Sequence, residues 1–364
     1  MKNKLSMNQN GRRAFLRSSL FSALGISAVA AGFRLPAYAA EEKALNFYNW
    51  DTYIGETTLD DFKAATGVEV SLSLFSDNSE LFAKMREGNP GYDVILPSDT
   101  FVDRMRRAEL LQPLDHSQIP NFKNVASKFQ DASFDPGRQY SMPYMWGTMG
   151  IGYRKSKVPE PTTWGVIWGA ESDQYAGRIG WISEAEAMLG MTLRYLGHSY
   201  NDTDASHLAA AATQLIKYKK NAKGIFEDNG QDLLASGEVD LTVEWNGDIA
   251  QLITEDPDIG YVIPSDGGFA WEDGLCIPTG APHPMNAHAF INFLLDAEAG
   301  RDLAEYIQYA TANAAARALM DDSYSKNPAI FPPDDTIAKL ETAAYLGEAR
   351  SDLVEREWTR VLSA

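Results

Sequence analysis

The chain has 364 residues, 45% hydrophobic and 23% charged, the composition of an ordinary soluble globular protein long enough for two domains. Its formal net charge is −18, an acidic excess that argues against nucleic acid and anionic membranes as partners and favours cations. A lone cysteine, Cys276, leaves no internal disulfide to form, and its apolar surroundings mark it as a small buried hydrophobe.

The first forty residues differ from the rest. Gly11-Arg12-Arg13-Ala14-Phe15-Leu16-Arg17 reads as a twin-arginine signal, followed by a mildly apolar run over 18–33 and a small-residue cleavage site, Ala37-Tyr38-Ala39. The apolar run is too short, and too rich in Ser and Gly, for a membrane span. The sequence therefore predicts a signal peptide over 1–39, cleaved after Ala39 or Ala40. The folded protein would be exported to the periplasm with no stable membrane insertion. Residues 1–39 hold six of the 32 Lys and Arg and no acid, so 26 bases remain against 50 acids and the mature charge is −24.

From residue 45 strands and helices alternate. A strand over 45–49 precedes a helix over 58–65, for which Thr58 and Asp61 form a capping box and Gly67 a stop. A strand over 68–75, a helix over 79–86 and a strand over 92–96 follow. A βαβαβ order implies a parallel sheet, and ligands bind at the carboxyl ends of such strands. Three polar or aromatic sets stand there: Trp50-Asp51-Thr52-Tyr53, Ser76-Asp77-Asn78 and Ser98-Asp99-Thr100. Among them Asp77 reads as a cap or turn residue, Asp51 as either a ligand contact or a solvated acid, and Asp99 as facing away. Residues 111–139 are irregular. Met142-Pro143-Tyr144-Met145-Trp146-Gly147 then leads into an extended crossing segment over 149–153, with Tyr144 and Trp146 as core or hinge packing.

A second set begins with a strand over 179–183 and helices over 184–196 and 205–219. Strands over 224–227 and 239–243 follow, with a short helix between them. Helices dominate beyond 287, over 287–295, 297–307 and 351–361. Within this half two Trp–acid pairs end two apolar runs. The run 239–243 leads into Glu244-Trp245-Asn246-Gly247-Asp248, and Gly268-Phe269-Ala270-Trp271-Glu272-Asp273 carries a Trp followed by two acids. A Trp face with a carboxylate suits an organic cation with a hydrocarbon body: the ring attracts the ammonium and covers its methylenes, and the carboxylate accepts its N–H bonds.

Other chemistries fit poorly. The five histidines, His116, His198, His207, His283 and His288, show no metal-ligand spacing. There is no phosphate-binding glycine loop and no nucleophile elbow. Glu272 and Asp273 are adjacent on a strand and face opposite ways, which does not suit a glycosidase pair. No catalytic residue, metal or cofactor is expected, and the protein reads as a receptor and not an enzyme.

Tyr48-Asn49-Trp50-x-x-Tyr53, Tyr92-Asp93-x-x-x-Pro97-Ser98, Met142-Pro143-Tyr144-x-Trp146-Gly147, Trp245-Asn246-Gly247 and Trp271-x-Asp273-x-x-x-x-Pro278 resemble, in order, the periplasmic spermidine/putrescine-binding proteins of ABC importers. Ile291-Asn292-Phe293-Leu294-Leu295 and Asn313-x-Ala315-Ala316-Arg317 extend the resemblance over the mature chain. It implies an α/β, two-lobed periplasmic-binding-protein fold, each lobe a mostly parallel sheet flanked by helices and joined by crossing strands. Residues 40–148 with 273–317 would form the first lobe, and 149–272 with 318–364 the second. The lobes would close on a polyamine and deliver it, as a monomer, to a membrane ABC permease.

By position the resemblance implies that Trp50 and Tyr53 pack on the amine chain and that Ser98 makes a polar contact. Trp245 and Trp271 would flank the methylenes, and Asp273 would hold an ammonium. Asp248 matches an acid of the putrescine-binding branch, Tyr309 an aromatic of the returning chain, and Glu184 an acid of the spermidine-binding branch. Asp51 joins this set from its place beside Trp50. Three positions depart: Ala187 replaces an acid, Thr100 a Tyr and Ala343 a Gln. Glu186 points about 100° away from position 187 and does not restore the missing acid. A third ammonium would be poorly paired, which favours a diamine such as putrescine over spermidine. Alternatives are a receptor for another small organic cation, or a sensor or interaction protein that reuses the fold.

Overall fold

The computed structural model describes residues 41–364, and the expected signal with Arg12, Arg13 and the cleavage site lies outside the described residues. Among the described residues eleven strands run in chain order: β1 (Ala44–Trp50), β2 (Glu69–Phe75), β3 (Val94–Ile95), β4 (Ser141–Arg154), β5 (Ile179–Ile182), β6 (Ala222–Phe226), β7 (Leu241–Trp245), β8 (Ile259–Val262), β9 (Gly268–Cys276), β10 (Ala310–Thr311) and β11 (Leu340–Thr342). Eight of them form a path β2-β1-β3-β9-β4-β7-β5-β6. The β2-β1-β3 end and the β7-β5-β6 end are each parallel, and antiparallel β9 and β4 lie between them. This is the two-lobed mixed α/β fold expected.

β4 makes the crossing. Its first half pairs with β9 up to Thr148↔Ala270, and its second half pairs with β7 from Met149↔Trp245 and with β8. Thirteen of its fourteen residues are buried, as suits a strand covered on both faces. The segments 141–147 and 149–153 are thus one continuous strand. β10 pairs with β4 at Trp146 and Met145, and β11 runs parallel to β9 at Gly268–Ala270. The helix Glu348–Ser363 packs on the helices Ala185–Tyr195 and Ala205–Tyr218.

Local chemistry explains most elements. β1 buries Leu45 and Phe47 completely, and Phe47 and Phe62 of the helix Thr58–Thr66 both meet Phe290 edge-on, at 5.2 and 5.0 Å. That helix ends at Gly67, whose left-handed backbone (φ 75) lets its N–H bond Lys63 O. The expected capping box does not form. Thr57 is the cap residue, and its hydroxyl donates to Asp61 at 2.7 Å, so the acid is occupied by a side chain and not a backbone N–H. Strand 92–96 contracts to β3. Strand 239–243 begins at Leu241 and continues through Trp245, and just before it the Arg178 side chain holds the Asp240 carboxylate (2.7 Å) and the Gly237 and Glu238 carbonyls. Among the described residues no helix is long and apolar enough to cross a membrane.

Candidate functional site

The parallel strands of both lobes end at one cavity of about 650 Å³. The residue sets that follow β1, β2, β3, β5, β6 and β7 all line it, as the carboxyl-end rule for such sheets demands. All ten residues singled out from the sequence (Trp50, Asp51, Tyr53, Ser98, Glu184, Trp245, Asp248, Trp271, Asp273 and Tyr309) are in its wall. Four helices begin there too: Asn78–Arg86, capped by the Asp77 side chain, and Asp99–Arg107, Ala185–Tyr195 and Asn246–Glu255, which start directly after Ser98, Glu184 and Trp245 without a side-chain cap. Their positive ends favour the ionised form of Asp99, Glu184 and Asp248, which lie at or within the first turn.

The aromatic side chains interlock. Tyr53 meets Tyr309 edge-on at 5.2 Å, Tyr309 meets Trp271 at 5.4 Å, and Trp271 meets Trp245 at 5.8 Å and 83°. Two glycines permit this packing. A Cβ at Gly147 would strike the Trp271 ring, and one at Gly247 would strike the Tyr309 ring. Trp50 is held by its indole N–H on Leu96 O at 2.9 Å and by Phe75 at 4.4 Å. Beside it Thr52 takes a left-handed turn (φ 50), and exposed Asp51 accepts the Thr52 N–H at 2.9 Å from the rim. Tyr144 and Trp146 stay out of the wall: the Tyr144 hydroxyl donates to Tyr53 O (2.8 Å), and Trp146 packs on Phe129.

Carboxylates supply the charge. Burial pushes Asp273 up to about 7, while the Ser98 and Tyr53 hydroxyls facing it pull the other way. Burial and the charge of Asp228 push Asp248 up to about 7, and the Tyr309 hydroxyl donates to Asp248 at 2.8 Å. Burial, then Asp77, Asp228 and Glu355, raise Glu184 to about 8. Glu244 lies fully buried beneath, with ligand atoms of Asp228, Glu244 and Asp248 all within 4.8 Å, and burial and its two acidic neighbours hold it well above the carboxylate range. Glu272 and Asp273 do face opposite ways: Glu272 turns from the cavity to buried Arg138 at 2.6 Å.

Asp99 corrects the sequence reading. It is not turned away but lies in the cavity wall, 2% exposed, with one oxygen on the Thr100 N–H (2.7 Å) and the other unpartnered among the described residues. Burial, then Glu272 and Asp273, raise it well above the usual range. Asp77 is the cap expected, accepting the Glu80 N–H at 2.8 Å, although it also reaches the cavity. Three further wall residues complete the set: Asn78, named in the sequence only as part of a strand-end group, and Asp228 and Glu355, which went unremarked. Asn78 brackets Ser98 with two hydrogen bonds (3.0 and 3.1 Å), Asp228 lies beside Trp245, and Glu355 comes from the C-terminal helix. Asp228 lies two residues past the end of β6, so its position beyond a strand end was a usable signal; Glu355 had none.

Ala187, Thr100 and Ala343 all line the cavity. Glu186 does not substitute for an acid at 187, because Arg350 takes it at 2.6 Å. Ten carboxyl groups line the wall against three guanidinium groups. Of these three, Arg350 is on Glu186 and Arg104 on Glu348 (2.6 Å), while Arg86 lies over Phe82 at 5.6 Å. Such a wall attracts a cation and repels an anion.

Comparison with known proteins agrees with this geometry. The chain is 34% identical over 332 residues to the spermidine/putrescine-binding periplasmic protein of Escherichia coli K12, covering 90% of this chain and 92% of that one. It is 32% identical over 343 residues to the putrescine-binding periplasmic protein PotF of the same organism, covering 89% and 93%. Among solved structures, the spermidine/putrescine ABC transporter substrate-binding protein PotD from Streptococcus pneumoniae superposes with a TM-score of 0.77 at 31% identity, covering 88% of this chain and 99% of that one. Residues 57–332 match the family described as bacterial extracellular solute-binding protein. With that span, a crossed two-lobed sheet and a cavity at its strand ends, the chain belongs to the bacterial extracellular solute-binding protein family.

Proposed function

We propose that the protein is a non-catalytic periplasmic receptor that captures a polyamine between two lobes and hands it to an ABC permease. The observation that carries this reading is a carboxylate at each end of an aromatic pair. Asp273 faces the Tyr53 hydroxyl, Tyr53 packs on Tyr309, and Tyr309 bonds Asp248. Asp273 takes one ammonium with Ser98 and Tyr53. Asp248 takes another, with Asp228 behind it. Trp50, Trp245 and Trp271 cover the methylenes and strengthen both ion pairs by excluding water. Glu184 and Asp51 add negative potential at the wall. Relatives named for spermidine/putrescine and putrescine binding support the ligand class.

The lobes are residues 40–148 with 273–317 and residues 149–272 with 318–364. The change of partner along β4 at Thr148/Met149 supports this division, with closure bending β4 and β9. Arg12 and Arg13 direct export, so replacing both with Lys abolishes periplasmic accumulation. Calorimetric titration with putrescine, cadaverine, spermidine and spermine, with lysine and choline as controls, tests the function. One polyamine per chain binds and the controls do not; tight choline or lysine binding with no polyamine binding overturns it.

A further inference from the structure

Outside the cavity, the turn after the helix Ala185–Tyr195 and the start of the helix Ala205–Tyr218 bring together His198, Asp202 and His207. One ligand atom from each lies within 4.8 Å of the others. His207 Nδ1 is 2.8 Å from Asp202 Oδ2, and His198 Nδ1 is 3.8 Å from the same oxygen. The two imidazoles stack at 3.8 Å between centroids and 21° between planes. All three side chains keep partial solvent access, at 31%, 18% and 39% exposure for His198, Asp202 and His207.

Two ring nitrogens thus point at one carboxylate oxygen, but only His207 is close enough to hydrogen-bond it. The carboxylate is already aimed: its other oxygen accepts the Asp204 N–H at 2.7 Å. Two imidazole nitrogens and one carboxylate oxygen form a donor set for borderline divalent ions, whereas calcium and magnesium prefer oxygen ligands alone. Metal–nitrogen bonds of about 2.0–2.1 Å need only a small rotation of the partly exposed His198 ring toward Asp202. We propose that His198, Asp202 and His207 form a surface site for one divalent transition-metal ion of the zinc, nickel and copper class, with water completing its coordination.

The site abuts a strut of the cavity wall. Arg350, which holds Glu186, donates to the carbonyls of Asp202 (3.1 Å) and Tyr200 (3.2 Å). Asn201, between them, bonds Thr342 O and the Ala344 N–H, both at 2.9 Å. An ion would fix this loop from outside.

The test is calorimetric titration of the tag-free mature chain with zinc chloride and nickel chloride, and with cobalt(II) for its coordination spectrum. One ion per chain binds at neutral pH. The double substitution His198→Gln with His207→Gln weakens it by about tenfold or more, with the metal-free unfolding midpoint unchanged. Asp202→Asn weakens it as well, which gives a second reading should the double variant fold poorly. No ion uptake, or uptake of undiminished affinity in Asp202→Asn and the double variant, overturns the proposal.

Discussion

The phenolic hydrogen of Tyr309 is donated to Asp248 across 2.8 Å, joining the segment just before β10 to the helix that follows β7. The bond supports an acid that burial and Asp228 would otherwise keep protonated. It uses one lone pair of the carboxylate and leaves others for a ligand.

Tyr309→Phe removes that donor while keeping the ring on Tyr53 and Trp271. Losing a hydrogen bond to a charged group costs about 1.5–3 kcal/mol, and polyamine affinity should fall by that order. Gly247→Ala, which pushes the ring aside, should cause a comparable loss by a different route. Calorimetry on both variants checks this; unchanged affinity in each would mean that Tyr309 is a bystander.

Asp273→Asn and Asp99→Asn separate two buried acids in one wall. Asp273 faces Ser98 and Tyr53, and as the ionised partner of an ammonium it should cost roughly 2–5 kcal/mol of amine affinity when neutralised. Asp99 too is raised well above the usual carboxylate range, chiefly through burial, and one of its oxygens is buried without a partner among the described residues. An Asn of nearly the same shape imitates a protonated Asp, so Asp99→Asn should change affinity little near pH 7. Equal losses at both positions in parallel titrations would refute this division of roles.

These two acids also mark how far the sequence could be read. Asp273 was legible because it follows Trp271 at the end of an apolar run and has a counterpart in the resembling family. Asp99 was adjacent to a recognised contact, yet its direction depended on where the next helix begins, and the helix starts at Asp99 itself. The lobes were legible from strand–helix alternation. The continuity of β4 and the placing of Glu355 were not, because both depend on packing between segments far apart in the chain. The capping box failed for a nearer reason: Thr57 and Thr58 are both able to cap, and only the observed turn decides between them.

Amine capture should be linked to protons. Burial chiefly pushes Asp273 and Asp248 up to about 7 and Glu184 up to about 8, against about 4 for carboxylates in an unfolded chain. The folded state therefore binds more protons between those values, and the empty protein loses stability as pH rises from about 4 toward 8. A bound ammonium favours the ionised form and lowers these values, so binding releases protons. Affinity should rise from about pH 5.5 to about pH 8 and then level off. Titrations in buffers of differing ionisation enthalpy count the protons released. A flat profile, or proton uptake on binding, would contradict the linkage.

The final expectation concerns amine length. Ala187 and Ala343 remove an acid and an amide from the wall, and Arg350 occupies Glu186, so the residues nearest those gaps offer little to a third ammonium. Asp273 and Asp248 already match two, which favours putrescine. One observation favours the longer ligand: Glu355 joins Glu184 and Asp77 in the wall, where burial and then the charges of Asp77 and Glu355 raise Glu184, and burial and then Asp77 raise Glu355, a cluster that welcomes a cation. A competition titration separates the two, and Glu355→Gln sharpens it. If the diamine reading holds, putrescine binds at least as tightly as spermidine, and Glu355→Gln changes putrescine affinity by no more than about 0.5 kcal/mol, the usual scale for a partly exposed charge. Spermidine binding more than about tenfold tighter, a difference of roughly 1.4 kcal/mol that Glu355→Gln abolishes, would place the third ammonium on Glu184 and Glu355 instead.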